Sequence, residues 1–171
     1  DTDTLTVVET VALPFHSQPH GIVFSSSGSD YFVVLEATSR VEKRKAASHA
    51  VSATALLSGV PRHIAIAYDD SHLLASNFIP SPAPGESTAD VDLDNANAEV
   101  FVIDPASMGL INTIALAYDN RALSESQGPG LPNYLNAPVI SFDNSFAYVP
   151  SKKDNIGSGG QRGLLSGIPG M

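Results

Sequence analysis

Apolar and polar positions alternate along this chain in short runs, and the runs come in pairs. Gly21 to Ser25 and Tyr31 to Glu36 read as two strands joined by Ser26-Ser27-Gly28-Ser29-Asp30, a hairpin loop on its composition. His63 to Tyr68 and His72 to Phe78 repeat the unit around Asp69-Asp70-Ser71. Pro138 to Phe142 and Phe146 to Pro150 repeat it around Asp143-Asn144-Ser145. A proline, Pro19, Pro61 or Pro138, leads each copy, and Gly, Asp, Asn and Ser fill the turns because they tolerate tight backbone geometry.

Further strands complete the units. Leu5 to Leu13, rich in Thr and Val, reads as a strand that ends at Pro14. Arg40 to Ala46 carries charge on both faces, which suits an outer, wet strand, and Ser52 to Leu57 follows it. In the second unit pairing resumes at Glu99-Val100-Phe101-Val102-Ile103-Asp104, turns at Pro105-Ala106-Ser107 and returns through Gly109 to Ala117. Four strands per unit define a propeller blade. Pro19 to Pro61 is 42 residues, within the roughly 40–45 of a four-stranded blade. Pro61 to Pro138 is 77, which fits one blade with two inserted loops, 79–98 and 119–136. The predicted fold is all-β: blades of four antiparallel strands, a partial propeller of about three blades over 1–157, then a flexible Gly-rich tail at 158–171.

Composition narrows the chemistry. The 171 residues hold no cysteine, so disulfides, thiolate metal sites and covalent c-type haem attachment within them are excluded. A net charge of −9 argues against a nucleic-acid surface, which needs clustered Lys and Arg. Between His63 and Asn120 stand nine acidic residues and no Lys or Arg, so that half attracts cations. The chain opens at Asp1 with no basic or apolar leader, which reads as a processed product, and no window has the apolar length of a membrane span.

Pro-x-x-Ile-Ala-Ile, a polar turn, a strand, and then Val100-Phe101-Val102-Ile103-Asp104-Pro105-Ala106-Ser107 before Thr113-Ile114-Ala115-Leu116 resemble the YVTN-type β-propellers. These are similar in turn to NHL and quinoprotein-dehydrogenase-like propellers. Leu131-Pro132-Asn133-Tyr134-Leu135-Asn136, continued by Ala147-Tyr148-Val149-Pro150-Ser151-Lys152-Lys153-Asp154, resembles a subgroup joined to cytochrome-type modules. The resemblance covers roughly residues 5 to 157 and implies a bacterial, periplasmic or extracellular protein. The family's turn carries Pro-Asp-Gly where this chain has Ser27-Gly28-Ser29, Asp69-Asp70-Ser71 and Asp143-Asn144-Ser145.

Two clusters could bind a metal. Asp90, Asp92 and Asp94 alternate in a loop and can converge on Ca²⁺, although the sixth position is Asn95 and the twelfth Phe101, so this is no EF-hand. The alternative is a solvated acidic loop and no cofactor. His20 and His63 stand near equivalent strand starts, where imidazoles of different blades could meet at the central channel; the alternative is two turn histidines in different registers. No Gly-x-Ser-x-Gly elbow occurs, and Gly157 to Gly163 lacks the Gly-Lys-Ser/Thr of a phosphate loop.

The expected function is therefore non-catalytic: a binding or scaffold module presenting its long loops to a protein or small-molecule ligand. The alternative is part of a periplasmic redox enzyme. A lone stack of blades exposes sheet edges, so either the chain belongs to a longer propeller or copies of it complete a ring as a homo-oligomer.

Overall fold

The computed structural model describes residues 1–79, 98–117, 119 and 131–154. Strands β1 (Pro19–Phe24), β2 (Asp30–Leu35), β3 (Arg40–Lys45) and β4 (Val51–Leu56) form one antiparallel sheet in chain order. A second sheet repeats it with β5 (Pro61–Ile66), β6 (Leu73–Asn77), β7 (Ala98–Ile103) and β8 (Leu110–Leu116). Pro19 and Pro61 each open their strand, the position where a missing N–H costs least. These two sheets are the expected four-stranded blades of a partial propeller.

The third unit is a long, interrupted hairpin. β9 (Leu131–Asn133) pairs with β12 (Lys152–Asp154), and β10 (Val139–Ile140) pairs with β11 (Ala147–Tyr148). Between the two ladders the Asn136 N–H donates to the Pro150 carbonyl at 2.8 Å, so all four segments belong to one strand pair. Pro138 and Pro150 have no N–H to give, which explains the break.

The hairpin turns fix the register of the three units. Ser25, Ala67 and Ser141 each accept the N–H of the residue three further on, and each donates its own N–H to a carbonyl five residues on, at Asp30, His72 and Phe146. Gly28, Asp70 and Asn144 occupy the same apex with φ of 69°, 57° and 58°. Only Gly adopts that conformation freely; Asp and Asn tolerate it better than other residues do. The apices set Leu135, not Pro138, level with Pro61.

Blades pack face to face. Phe32, Val34, Val41 and Ala55 of the first meet Ile64, Leu73, Ala75, Phe101 and Ile103 of the second. Leu74, Val100 and Leu135, with Ile140 and Val149 against them, join the second to the third. Burying such side chains drives the stack, at roughly 25 cal/mol per Å² of apolar surface. Gly21 allows the first contact: a Cβ there would stand 2.8 Å from the Arg62 carbonyl oxygen.

Three expectations are corrected. Residues 5–13 form no strand; with no neighbouring strand to pair among the described residues, their backbone joins no ladder there. β3 is an interior strand rather than an outer, wet one, because its charges neutralise each other. Arg44 Nη2 lies 2.6 Å from Glu42 Oε2, Arg40 Nη2 lies 3.0 Å from Glu42 Oε1, and Glu42 and Arg44 are 3% and 6% exposed. Residues 131–133, assigned above to an inserted loop, are the strand β9.

Candidate functional site

The loop-rich end of the stack carries the chemistry. β1 and β5 start there, β2 and β6 finish there, and the chain leaves for segment 80–97 just after Phe78 and returns at Ala98. The acidic run Asp90, Asp92 and Asp94 belongs to that segment and lies outside the described residues, as does the tail from 158 to 171.

His20 and His63 come together here. Their rings meet edge to face with centroids 4.7 Å apart, at the adjoining starts of β1 and β5. His63 also faces the Phe78 ring at 6.3 Å, and Phe78 stands 5.2 Å from Tyr134. Lys152 Nζ lies 5.3 Å from the centroid of Tyr134. Side chains from all three units thus form one continuous aromatic and cationic surface.

Arg62 anchors it. Its Nε and Nη2 donate to the two carboxylate oxygens of Glu36 at 2.5 and 2.6 Å, a fork that ties the second blade to the 3₁₀ turn after β2. The guanidinium carbon also sits 3.3 Å from the centre of the Phe78 ring. The Arg62 hydrogen bonds hold the Glu36 carboxyl below its ordinary range against the opposing effect of burial, and the nearby histidines help. Burial is the main cause that pushes His63 below the usual imidazole value, and the charges of His20 and Arg62 add to it. At neutral pH His63 is therefore uncharged.

Hydrogen bonds brace the floor of this surface. Asn77, fully buried, accepts from the Val60 N–H at 2.7 Å and donates to Glu99 Oε2 at 3.2 Å. The Leu135 N–H donates to the Phe78 carbonyl at 3.1 Å. Among the described residues no group of three or more His, Cys, Asp or Glu side chains is placed to hold a metal ion. Sequence reasoning singled out His20 and His63 but gave no site role to Glu36, Arg62, Phe78, Tyr134 or Lys152. Arg62 next to His63 after a strand-opening proline was the available signal.

The fold defines the class of protein: these are blades of a β-propeller. No family model matches the sequence, and no curated protein does. Among solved structures, hydrazine synthase of Kuenenia stuttgartiensis is similar at 19% identity and a TM-score of 0.56, over 84% of this chain and 32% of that one. A 6-phosphogluconolactonase-like protein of Bacteroides uniformis shares 16% identity at a TM-score of 0.48, over 84% and 36% of the two chains. The dihydro-heme d1 dehydrogenase NirN shares 15% identity at 0.41, over 80% and 32%. The chain spans about a third of the length of these structures, with 32%, 36% and 32% covered.

Proposed function

We propose that this chain is a non-catalytic binding module of the YVTN propeller type, working in the periplasm or outside the cell, with the loop-rich end as its contact surface. The observation that supports the reading is the run His20, His63, Phe78, Tyr134 and Lys152, with Arg62 set on Phe78. Rings offer apolar area together with a face for cations, and the basic groups favour anions, so an aromatic carboxylate is the simplest ligand type that uses both. Titration with benzoate, followed through backbone amide NMR shifts, tests the reading. Shifts centred on residues 62–63, 78 and 134 support it; millimolar benzoate that moves none of them overturns it.

A second reading is favoured by the likeness to hydrazine synthase. In it the chain is part of a periplasmic redox protein, and its loop-rich end docks a module that carries the electron-transfer centre. A stoichiometric transition metal or chromophore co-purifying with the protein would favour this reading over the first.

A further inference from the structure

Two imidazoles in contact, at the junction of the two four-stranded blades, set the charge of the loop-rich end. His20 and His63 stand with ring centroids 4.7 Å apart and planes at 83°. His20 is exposed and His63 half-buried, and among the described residues neither ring has a hydrogen-bond partner. A neutral imidazole presents one N–H donor and one bare nitrogen, whereas the protonated ring presents two donors. The bare nitrogen repels a carboxylate; a second donor, carrying charge, holds it. Protonation therefore changes both the charge and the hydrogen-bonding sense of this spot.

The other charged and titratable groups around the pair are already engaged or lie farther along the surface. Arg62, on β5 beside His63, directs its Nε and Nη2 at the Glu36 carboxylate, so its charge is answered before a ligand arrives. Glu99, on β7, is held by the Asn77 amide at 3.2 Å. His16, ahead of β1, stacks on Phe15 with centroids 3.8 Å apart. Tyr134 and Lys152 are reached from the pair only through Phe78. The contact between the rings also sets how many protons the pair takes. Burial, then the charges of His20 and Arg62, disfavour the charged form of His63, and Glu36 opposes them. The two rings thus titrate as one coupled unit, in which a proton on one resists a proton on the other.

We propose that proton uptake by the His20–His63 pair controls anion binding at the loop-rich end: the surface holds a carboxylate weakly when both rings are neutral and firmly when one is protonated. The inference rests on the reading of this end as the contact surface for an aromatic carboxylate. An anion whose ring lies along Phe78 meets the pair at His63, which faces Phe78 at 6.3 Å. Coupling is reciprocal, so the bound anion in turn holds the proton, and the two are taken up together. Folding favours neutral His63 and the ligand favours the charged pair. Acid then loosens the empty protein while it tightens the occupied site.

Benzoate titrations at about pH 8 and about pH 6, followed through backbone amide NMR shifts, test the proposal, since a carboxylate of ordinary acidity stays ionised at both. The dissociation constant is expected to be roughly tenfold lower at the more acid pH, which is what one charge-assisted hydrogen bond contributes. Saturating benzoate should also move the titration of the His20 and His63 ring protons to higher pH. The double variant His20→Gln/His63→Gln, with unchanged circular dichroism, should lose the pH dependence. Equal dissociation constants at the two pH values, or ring titrations that benzoate does not move, overturn the proton control and leave the contact surface standing. A benzoate response absent at both pH values overturns the two together. A pH dependence that survives the double substitution overturns the assignment to this pair.

Discussion

The Asp70 carboxylate of one blade closes on Ser26 of the blade before it, taking the Ser26 N–H at 2.9 and 3.1 Å and the hydroxyl at 2.7 Å. One blade later the Asn144 side chain takes the Tyr68 N–H at 3.1 Å. A side chain that sits in the left-handed region because the turn requires it is thereby aimed at the neighbouring turn. One residue does two jobs, local geometry and blade-to-blade spacing.

Replacing Asp70 by Gly keeps the turn and removes the tie. The expected loss is about 1 kcal/mol, near that of an ordinary net hydrogen bond. Asp70→Asn should recover most of it. Urea unfolding of the three proteins checks this, and equal midpoints for Gly and Asp would show that the tie contributes nothing.

Gly21→Ala should cost about 1–3 kcal/mol, the usual range for overpacking. The added carbon would face the Arg62 carbonyl at 2.8 Å and the Ile64 backbone nitrogen at 3.1 Å, and backbone cannot swing aside. Chemical denaturation measures the loss; a variant as stable as the wild type would mean that β1 and β5 do not approach this closely.

Arg62→Lys preserves charge but not the fork. Lysine can meet one Glu36 oxygen and cannot lie flat on Phe78, so about 1–2 kcal/mol of stability should go, along with most of the benzoate response. Arg62→Ala should cost more, since Glu36 is then left largely buried without its partner. Thermal melts rank the three proteins, and a lysine variant indistinguishable from wild type would refute the role given to the fork.

Stability should fall as pH drops from 7 toward 5, through His63. Its folded pKa lies below the ordinary 6.5, so the unfolded chain takes up the proton first. The contribution of neutral His63 is complete above about 6.5 and fades as pH falls through the folded value. His20, Arg62 and Glu36 face the same ring, and of these only Glu36 favours the charged form. Glu36 is held below 4.5, so its own loss comes at more acid pH. Urea midpoints measured at several pH values should flatten between 7 and 5 in His63→Gln, and a parallel curve would assign the slope elsewhere.

Much of the blade architecture was legible because turns and alternation are local. Asp69-Asp70-Ser71 and Asp143-Asn144-Ser145 announce themselves, and the strands on either side follow within a residue or two. Charge burial was not legible. Arg40-Val41-Glu42-Lys43-Arg44-Lys45 looks solvated until the pairing of Glu42 with two arginines is seen, and such pairing depends on side-chain direction within one strand. The N-terminal segment misled for the opposite reason. Its composition suits a strand, yet a strand exists only beside another, and the described residues supply none. The site was half readable: His20 and His63 stand near equivalent strand starts, one place apart in register, but Phe78 and Tyr134 reach it from just beyond the ends of β6 and β9, whose meeting no local pattern encodes.

The 20 residues from 78 to 97 that separate β6 from β7 also bear on the order of assembly. In the first blade the corresponding link, residues 36 to 39, is only four long. Each doubling of a loop adds about 0.6 kcal/mol of closure entropy, so the second blade meets a barrier higher by more than 1 kcal/mol before its inner and outer halves can join. The first blade should then act as the template on which the second condenses. Pulse-labelled hydrogen exchange would register this as protection of β1–β4 ahead of β7 and β8, and simultaneous protection would count against it.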